Sequence, residues 1–316
     1  MKQLVILSGK GGTGKTSVTA AFAHLASQGS FANRVLLADA DVDAANLELV
    51  LQPRLLDRQP FRGGQVAVID DDRCLGCGDC ESVCRFDAIA VADGRPVIDP
   101  VACDGCAACV YQCPIECITM HEQTVGDYAR SDSRYGPLHH AHLSPGQENS
   151  GKLVTQVRQR ARQQAIEDGF ELVLVDGPPG IGCPVIAAVS GVDLALLVTE
   201  PTISGIHDLR RALQTVEHFG VPALVCINKA DVYPLGAQDI EADCRARGIA
   251  VVGQIPFDLT IANAMVAGEA VTAYRPDAPA SLALAAVWER VAQALLAPGA
   301  PRSPTTSPAT SQQQPQ

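Results

Sequence analysis

The sequence predicts an α/β fold: a doubly wound, mainly parallel sheet interrupted by a small, cysteine-rich α+β insertion. Three features predict it. Short, almost wholly apolar runs alternate with helical patterns along most of the chain, as in parallel strands covered on both faces. The first of these runs ends in a glycine-rich segment that opens a helix. Between about Gly63 and Met120 the alternation breaks, and Cys, Gly and Asp dominate.

Taken in order, residues 2 to 8 are an apolar, β-branched run ending in Ser-Gly, and a helical pattern follows from about Lys15 to Ser27. Further strands are expected at Val35 to Ala38, Glu171 to Val175, Leu194 to Val198, Ala223 to Ile227 and Val251 to Ile255. Helices are expected over 152–167, 205–219, 236–247 and 280–297. The chain thus divides into a discontinuous α/β domain, 1–62 and 121–297, and an insertion over 63–120. Residues 121–150 read as a polar, Gly- and His-containing connector. The Pro-, Ser-, Thr-, Ala- and Gln-rich stretch 298–316 cannot bury enough apolar surface to order itself and is expected to be disordered.

At 316 residues, 47% of them apolar, the chain can bury a full core and a second, smaller one. Lys and Arg are outnumbered 24 to 35 by Asp and Glu, for a formal charge of -11, so no nucleic-acid partner is expected. No charge-free apolar stretch of about 18 residues exists, which argues against membrane insertion. The first residues run into the glycine-rich segment without the apolar core of a secretory leader, and a cytoplasmic location is expected. Twelve Cys in an intracellular chain point to metal rather than disulfides, and eight fall between Cys74 and Cys113.

Gly9-Lys10-Gly11-Gly12-Thr13-Gly14-Lys15-Thr16 follows a strand and opens a helix, the context a phosphate-binding P-loop requires. Its glycines let backbone amides turn inward around phosphates, Lys15 neutralises the β and γ oxygens, and the Thr16 hydroxyl is placed to ligate Mg²⁺. With Lys10 inside the loop, this is the deviant P-loop, and outside the insertion the chain resembles the MinD, ParA, Mrp and nitrogenase iron-protein group of ATPases. The resemblance implies that Lys10 reaches across a dimer interface to the partner's nucleotide, so that pairing, with a second copy or with a similar ATPase, belongs to the ATP cycle.

Two acidic segments fit the same group. Asp39-Ala40-Asp41-Val42-Asp43 follows the second strand, at the carboxyl edge where ligands of doubly wound sheets bind, and resembles the first switch of these ATPases. Asp41 is the candidate to position the attacking water; helix capping is the ordinary alternative for all three. Val173-Leu174-Val175-Asp176-Gly177-Pro178-Pro179-Gly180 resembles the second switch, with Asp176 tied to Mg²⁺. Phosphoryl transfer asks mainly for positioning and charge neutralisation, which these groups can supply without a covalent nucleophile. For the base, Asn228-Lys229-Ala230-Asp231 can be read as a guanine-recognition element, whereas Ile255-Pro256-Phe257-Asp258 resembles the base-side loop of MinD-like ATPases. The second favours ATP, with Asn228, Pro256 and Asp258 on the base side.

Cys74-x2-Cys77-x2-Cys80-x3-Cys84 and Cys103-x2-Cys106-x2-Cys109-x3-Cys113-Pro114 repeat the spacing of bacterial two-cluster ferredoxins. In that pattern the fourth Cys of each run crosses over. Cys74, Cys77, Cys80 and Cys113 would hold one [4Fe-4S] cluster, and Cys103, Cys106, Cys109 and Cys84 the other. Zinc is the alternative, although structural zinc usually takes paired CxxC units. Cys117, Cys226 and Cys244 read as small packed residues. His139, His140 and His142 alternate in a strand-like segment and are expected to be exposed, without a carboxylate near enough to complete a metal site. The region from Gly136 to Val154 resembles the joining segment of MinD-type ATPases with an inserted ferredoxin domain, including those of the orange-protein complex.

Three functions follow. In the first, ATP binding and hydrolysis drive dimer closure, which gates electron transfer or docking of a protein partner at the clusters. In the second, the chain is an iron-sulfur carrier of Mrp type. In the third, it is a MinD-like positional switch whose clusters sense redox state, although the segment after Pro298 lacks the amphipathic face of a membrane anchor.

Overall fold

The computed structural model describes residues 1–147 and 149–297; the stretch 298–316, expected to be disordered, lies outside the described residues. β1 (Lys2–Ser8) leads through the glycine-rich loop into α1 (Lys15–Gln28), and β2 (Val35–Asp39) and the short α2 (Leu47–Leu51) follow. Next come β3 (Arg54–Ile69), α3 (Asp79–Ser82), β4 (Ile89–Ala92), β5 (Arg95–Ile98), α4 (Ala108–Gln112) and the returning β6 (Ile118–Ser133). β7 (Gly136–Leu143) and α5 (Ser150–Glu167) precede β8 (Leu172–Pro179), α6 (Cys183–Val189), β9 (Leu194–Thr199), α7 (Ile203–His218) and β10 (Ala223–Asn228). The chain then forms α8 (Pro234–Ala246), β11 (Ala250–Ile255), α9 (Leu259–Ala267), α10 (Val271–Tyr274) and α11 (Pro279–Leu296).

The main sheet has nine strands in the order β11-β10-β9-β1-β8-β2-β7-β6-β3. From β11 to β7 every neighbour is parallel. β6 runs antiparallel to β7, and β3 antiparallel to β6. The apolar runs become central strands because both of their faces are buried. In β1, Leu4 and Ile6 join Phe22 of α1 and Trp288 of α11 on one side. Val5 and Leu7 join Val157 of α5, Leu209 of α7 and Ile240 of α8 on the other.

The polar connector expected over 121–150 is instead mostly strand. β6 and β7 extend the parallel sheet, and β3 forms its edge. The boundaries drawn at 63 and 120 fall inside β3 and β6, which pair from Arg54↔Asp132 to Ile69↔Ile118, with irregularities near Leu55 and between Phe61 and Gln65, and form an arm out of the sheet. Polarity obscured these strands because their buried polar groups are satisfied by neighbours distant in sequence. Ser131 and His140, both almost fully buried, meet across β6 and β7 at 2.8 Å. At the far end of the arm sits a second, small core of Ala67, Cys80, Ile89, Cys109, Cys117 and Ile118.

Candidate functional site

The phosphate loop lies at the carboxyl end of β1, where α1 begins. Gly14 holds a left-handed backbone (φ +91°), and a Cβ there would come within 2.5 Å of Asn228 Nδ2. Only glycine fits without displacing Asn228, whose Nδ2 donates to the Thr13 carbonyl at 2.8 Å. β10 thereby buttresses the loop that β1 launches.

A cavity of about 490 Å³ opens beside it. Its walls include Gly11, Gly12, Gly14, Lys15 and Thr16 of the loop, Asp41 after β2, and Asn228, Pro256 and Asp258 on the opposite side. Gly9 and Thr13 shape the loop from behind it: Thr13 is buried, and a Cβ on Gly9 would collide with Asp208 of α7 at 2.5 Å. Asp258 caps α9, its Oδ1 accepting from Thr260 N and its Oδ2 from Ala280 N, so it shapes the base-side wall. Asp231 does not line the cavity; its Oδ1 accepts from Phe257 N and holds the 256–258 loop in place.

Asp41 and Asp176 lie near Lys15, and Asp39 lies beside Asp176. Lys15 Nζ lies 3.7 Å from Asp41 Oδ2. Thr16 Oγ1 and Thr19 Oγ1 donate to the two oxygens of the fully buried Asp176, at 2.7 and 2.9 Å. Asp39, also fully buried and the register partner of Asp176, accepts from the backbone N–H groups of Asp41 and Leu47. Burial raises all three carboxyls; it pushes Asp41 up to about 6, against the pull of Lys15, and lifts Asp39 well above its ordinary range with help from Asp176. Three neighbouring carboxyls are thus costly to ionise without a cation, a divalent ion would lower that cost, and the Thr16–Asp176 pair fits Mg²⁺. Asp43 is exposed, and its charge adds to the upward push on Asp41.

Lys10 is half-buried and does not line the cavity. Its Nζ is 3.4 Å from Glu200 Oε2 and donates to Ser204 Oγ at 3.5 Å. Lys229 donates to the other Glu200 oxygen at 2.6 Å. Glu200, which the sequence did not single out, therefore parks Lys10 in the single chain.

The eight cysteines of the two runs gather around two small cavities. Cys74, Cys77, Cys80 and Cys113 line one, together with Cys117; Cys84, Cys103, Cys106 and Cys109 line the other. The backbone repeats between the runs: Gly76 and Gly105, Gly78 and Ala107, and Asp87 and Glu116 occupy equivalent left-handed positions. The four run cysteines at each cavity suit iron, for which thiolates are soft ligands. Arg85, where Pro114 stands in the second run, leaves the repeat intact. Cys117, expected to be a packing residue, also donates its N–H to Cys113 Sγ at 3.4 Å.

The three histidines are not exposed as expected. His139 and His140 are buried and His142 is half-buried. His139 bonds Tyr128 and Gln164, and burial lowers it to about 4. His140 and His142, two residues apart on one face of β7, both meet Glu48 of α2, a carboxylate that no local spacing could reveal.

Glycine-rich loop, paired switch carboxylates and doubly wound sheet together define a nucleotide-binding protein of the P-loop class. Residues 4–271 match the CobQ/CobB/MinD/ParA nucleotide binding domain, and the chain belongs to that family. It is 36% identical over 227 residues to the uncharacterized protein MJ0578 of Methanocaldococcus jannaschii, covering 72% of this chain and 78% of that one. It is 27% identical over 296 residues to the septum site-determining protein MinD of Bacillus subtilis, covering 91% and 88%. The structure of the Pyrococcus horikoshii septum site-determining protein MinD complexed with Mg-ADP shares the fold at a TM-score of 0.54, with 21% identity over 92% of this chain and 95% of that one. Among the described residues no helix is long and apolar enough to cross a membrane.

Proposed function

We propose that the chain is an ATP-hydrolysing iron-sulfur protein, in which nucleotide-driven pairing with a second copy or a similar ATPase controls electron transfer or partner docking at two [4Fe-4S] clusters. The observation that carries it is the route of the chain. β2 ends at the first switch, the short α2 follows, and β3 then runs out to the cysteine unit, which returns along β6. Movement of Asp39 and Asp41 on binding nucleotide therefore bears on the root of the arm, because Leu47, the first residue of α2, hangs from Asp39.

Lys15 binds the phosphates, Thr16 and Asp176 hold Mg²⁺, and Asp41 orients the attacking water. Lys10 leaves Glu200 to reach the nucleotide of the partner. Adenine is favoured over guanine because Asp231 faces Phe257 N rather than the cavity; Asn228 and the 256–258 loop then form the base side. The MinD of Pyrococcus horikoshii, which has the same fold, was solved with Mg-ADP. The eight cysteines would hold the clusters, which supply one-electron chemistry when bound.

Anaerobic purification with iron and sulfide counts, followed by ATPase assays on oxidised, reduced and cluster-free protein, tests both halves. About eight irons per chain are expected; four or fewer, or zinc in their place, sinks the cluster assignment. Equal ATPase rates and equal partner binding in all three states sink the coupling. Lys10→Ala and Lys15→Ala should abolish turnover without changing the visible spectrum. Rapid transfer of labelled iron to an apo-acceptor would instead favour the carrier function.

A further inference from the structure

Glu48, His140 and His142 stand outside the phosphate site and the cysteine unit. The three ligand atoms they offer lie within 4.8 Å of one another. Glu48 spans the two rings: its Oε2 is 3.1 Å from His140 Nδ1 and its Oε1 is 3.1 Å from His142 Nε2. Tetrahedral ligands about 2.0–2.1 Å from a zinc-sized ion are separated from each other by about 3.3 Å, close to the two glutamate–histidine spacings, and a side-chain adjustment within the 4.8 Å cluster would bring the three ligand atoms onto one ion.

The second observation is His140 Nδ1 itself. His140 is 1% exposed, and its Nδ1 has no hydrogen-bond partner, since the Glu48 oxygen is close but poorly aligned. Its other nitrogen, Nε2, is 2.8 Å from Ser131 Oγ. With the ring proton on Nε2, directed at Ser131, Nδ1 carries an unpartnered buried lone pair with a carboxylate oxygen 3.1 Å away, off its axis. A cation between them would accept both. Asp127 is near enough to become an outer partner of His142: its Oδ1, buried and without a hydrogen-bond partner, is 3.6 Å from His142 Nδ1 and the same distance from Arg58 Nε, and a small shift on metal binding would let it accept the ring N–H. His142 and Glu48 remain about one-third exposed, which leaves an entrance.

We propose that Glu48, His140 and His142 bind one divalent transition-metal ion of the class that takes mixed imidazole and carboxylate ligands, with Ser131 and Asp127 orienting the two rings. Three protein ligands leave a further position open to water or a small ligand. Because Leu47, next to Glu48, donates its N–H to Asp39, the ion fastens α2 to β7 at the base of the first switch.

The test uses full-length, anaerobically purified protein with its iron retained, stripped of loosely held ions and titrated calorimetrically with Zn²⁺, then examined by X-ray absorption at the zinc edge. One zinc per chain is expected, with nitrogen and oxygen neighbours at about 2.0–2.1 Å and no sulfur shell near 2.3 Å. His142→Ala and Glu48→Gln, at partly exposed positions, should weaken binding by at least about 100-fold, and Asp127→Asn by about 10- to 100-fold. Metal-free unfolding followed by the single tryptophan should match wild type in all three. Absence of stoichiometric binding, sulfur-only ligation, or unchanged affinity in His142→Ala and Glu48→Gln would overturn the proposal. Zinc held by the cysteines would appear as sulfur neighbours in wild type and variants alike, so failure of the cluster assignment is distinguishable from failure of this site.

Discussion

Asp41 shows how burial sets a working pH. If Asp41 orients the attacking water as proposed, its carboxyl, pushed up to about 6 by burial, has to be ionised, so turnover should fall about tenfold per unit below pH 6 and level off above it. A pH–kcat profile showing no acid limb between 5 and about 7 would exclude this role. Asp41→Asn should lower kcat by about 10²–10⁴-fold and leave nucleotide affinity within a few-fold. At Gly14 the constraint is steric. Gly14→Ala combines a positive φ with a contact to Asn228, and nucleotide affinity measured calorimetrically should drop at least about tenfold. Both positions could be picked out from the sequence, because a glycine-rich loop and a strand-end aspartate are local patterns. Glu200 was not: nothing near it in the chain says that it faces both Lys10 and Lys229.

Among the elements, α1 and α11 seal one face of the sheet through Trp288, whose ring lies 5.0 Å from that of Phe22 and 6.2 Å from that of Phe31. Trp288→Ala should cost about 3–5 kcal/mol, read by denaturant unfolding with circular dichroism because the substitution removes the single tryptophan. The visible spectrum of the cysteine unit should not change, since that unit has its own core. The helices and central strands were readable from periodicity and apolar runs. β3, β6 and β7 were not, because their sequences are polar and one face of β3 is largely exposed at the sheet edge. Their pairing is set by partners across the hairpin and by burial of His139, His140 and Ser131 against one another's neighbours.

For the whole molecule, the arm is the consequential feature. Ile69 and Ile118 are register partners at the tip of β3 and β6, so residues 70–117 can be excised and replaced by an Asn-Gly turn without breaking the sheet. The shortened protein should unfold, by Trp288 fluorescence, within about 5 °C of the parent and still bind nucleotide, while losing all iron and any dependence of ATPase rate on redox state. A protein that no longer folds would show that the cysteine unit supports the ATPase core rather than hanging from it. By itself the sequence determined the glycine-rich loop, the aspartates near the end of β2 and in β8, the central parallel strands and the two cysteine runs. Each is a pattern written over a few adjacent residues and enforced by local backbone geometry or face-by-face burial. Only the tertiary structure decided that Lys10 rests on Glu200, that the inserted unit grows out of the main sheet beside the first switch, and that Glu48 meets two histidines from β7. Those arrangements join residues far apart in the chain, and only strand order and helix packing bring them within reach of one another.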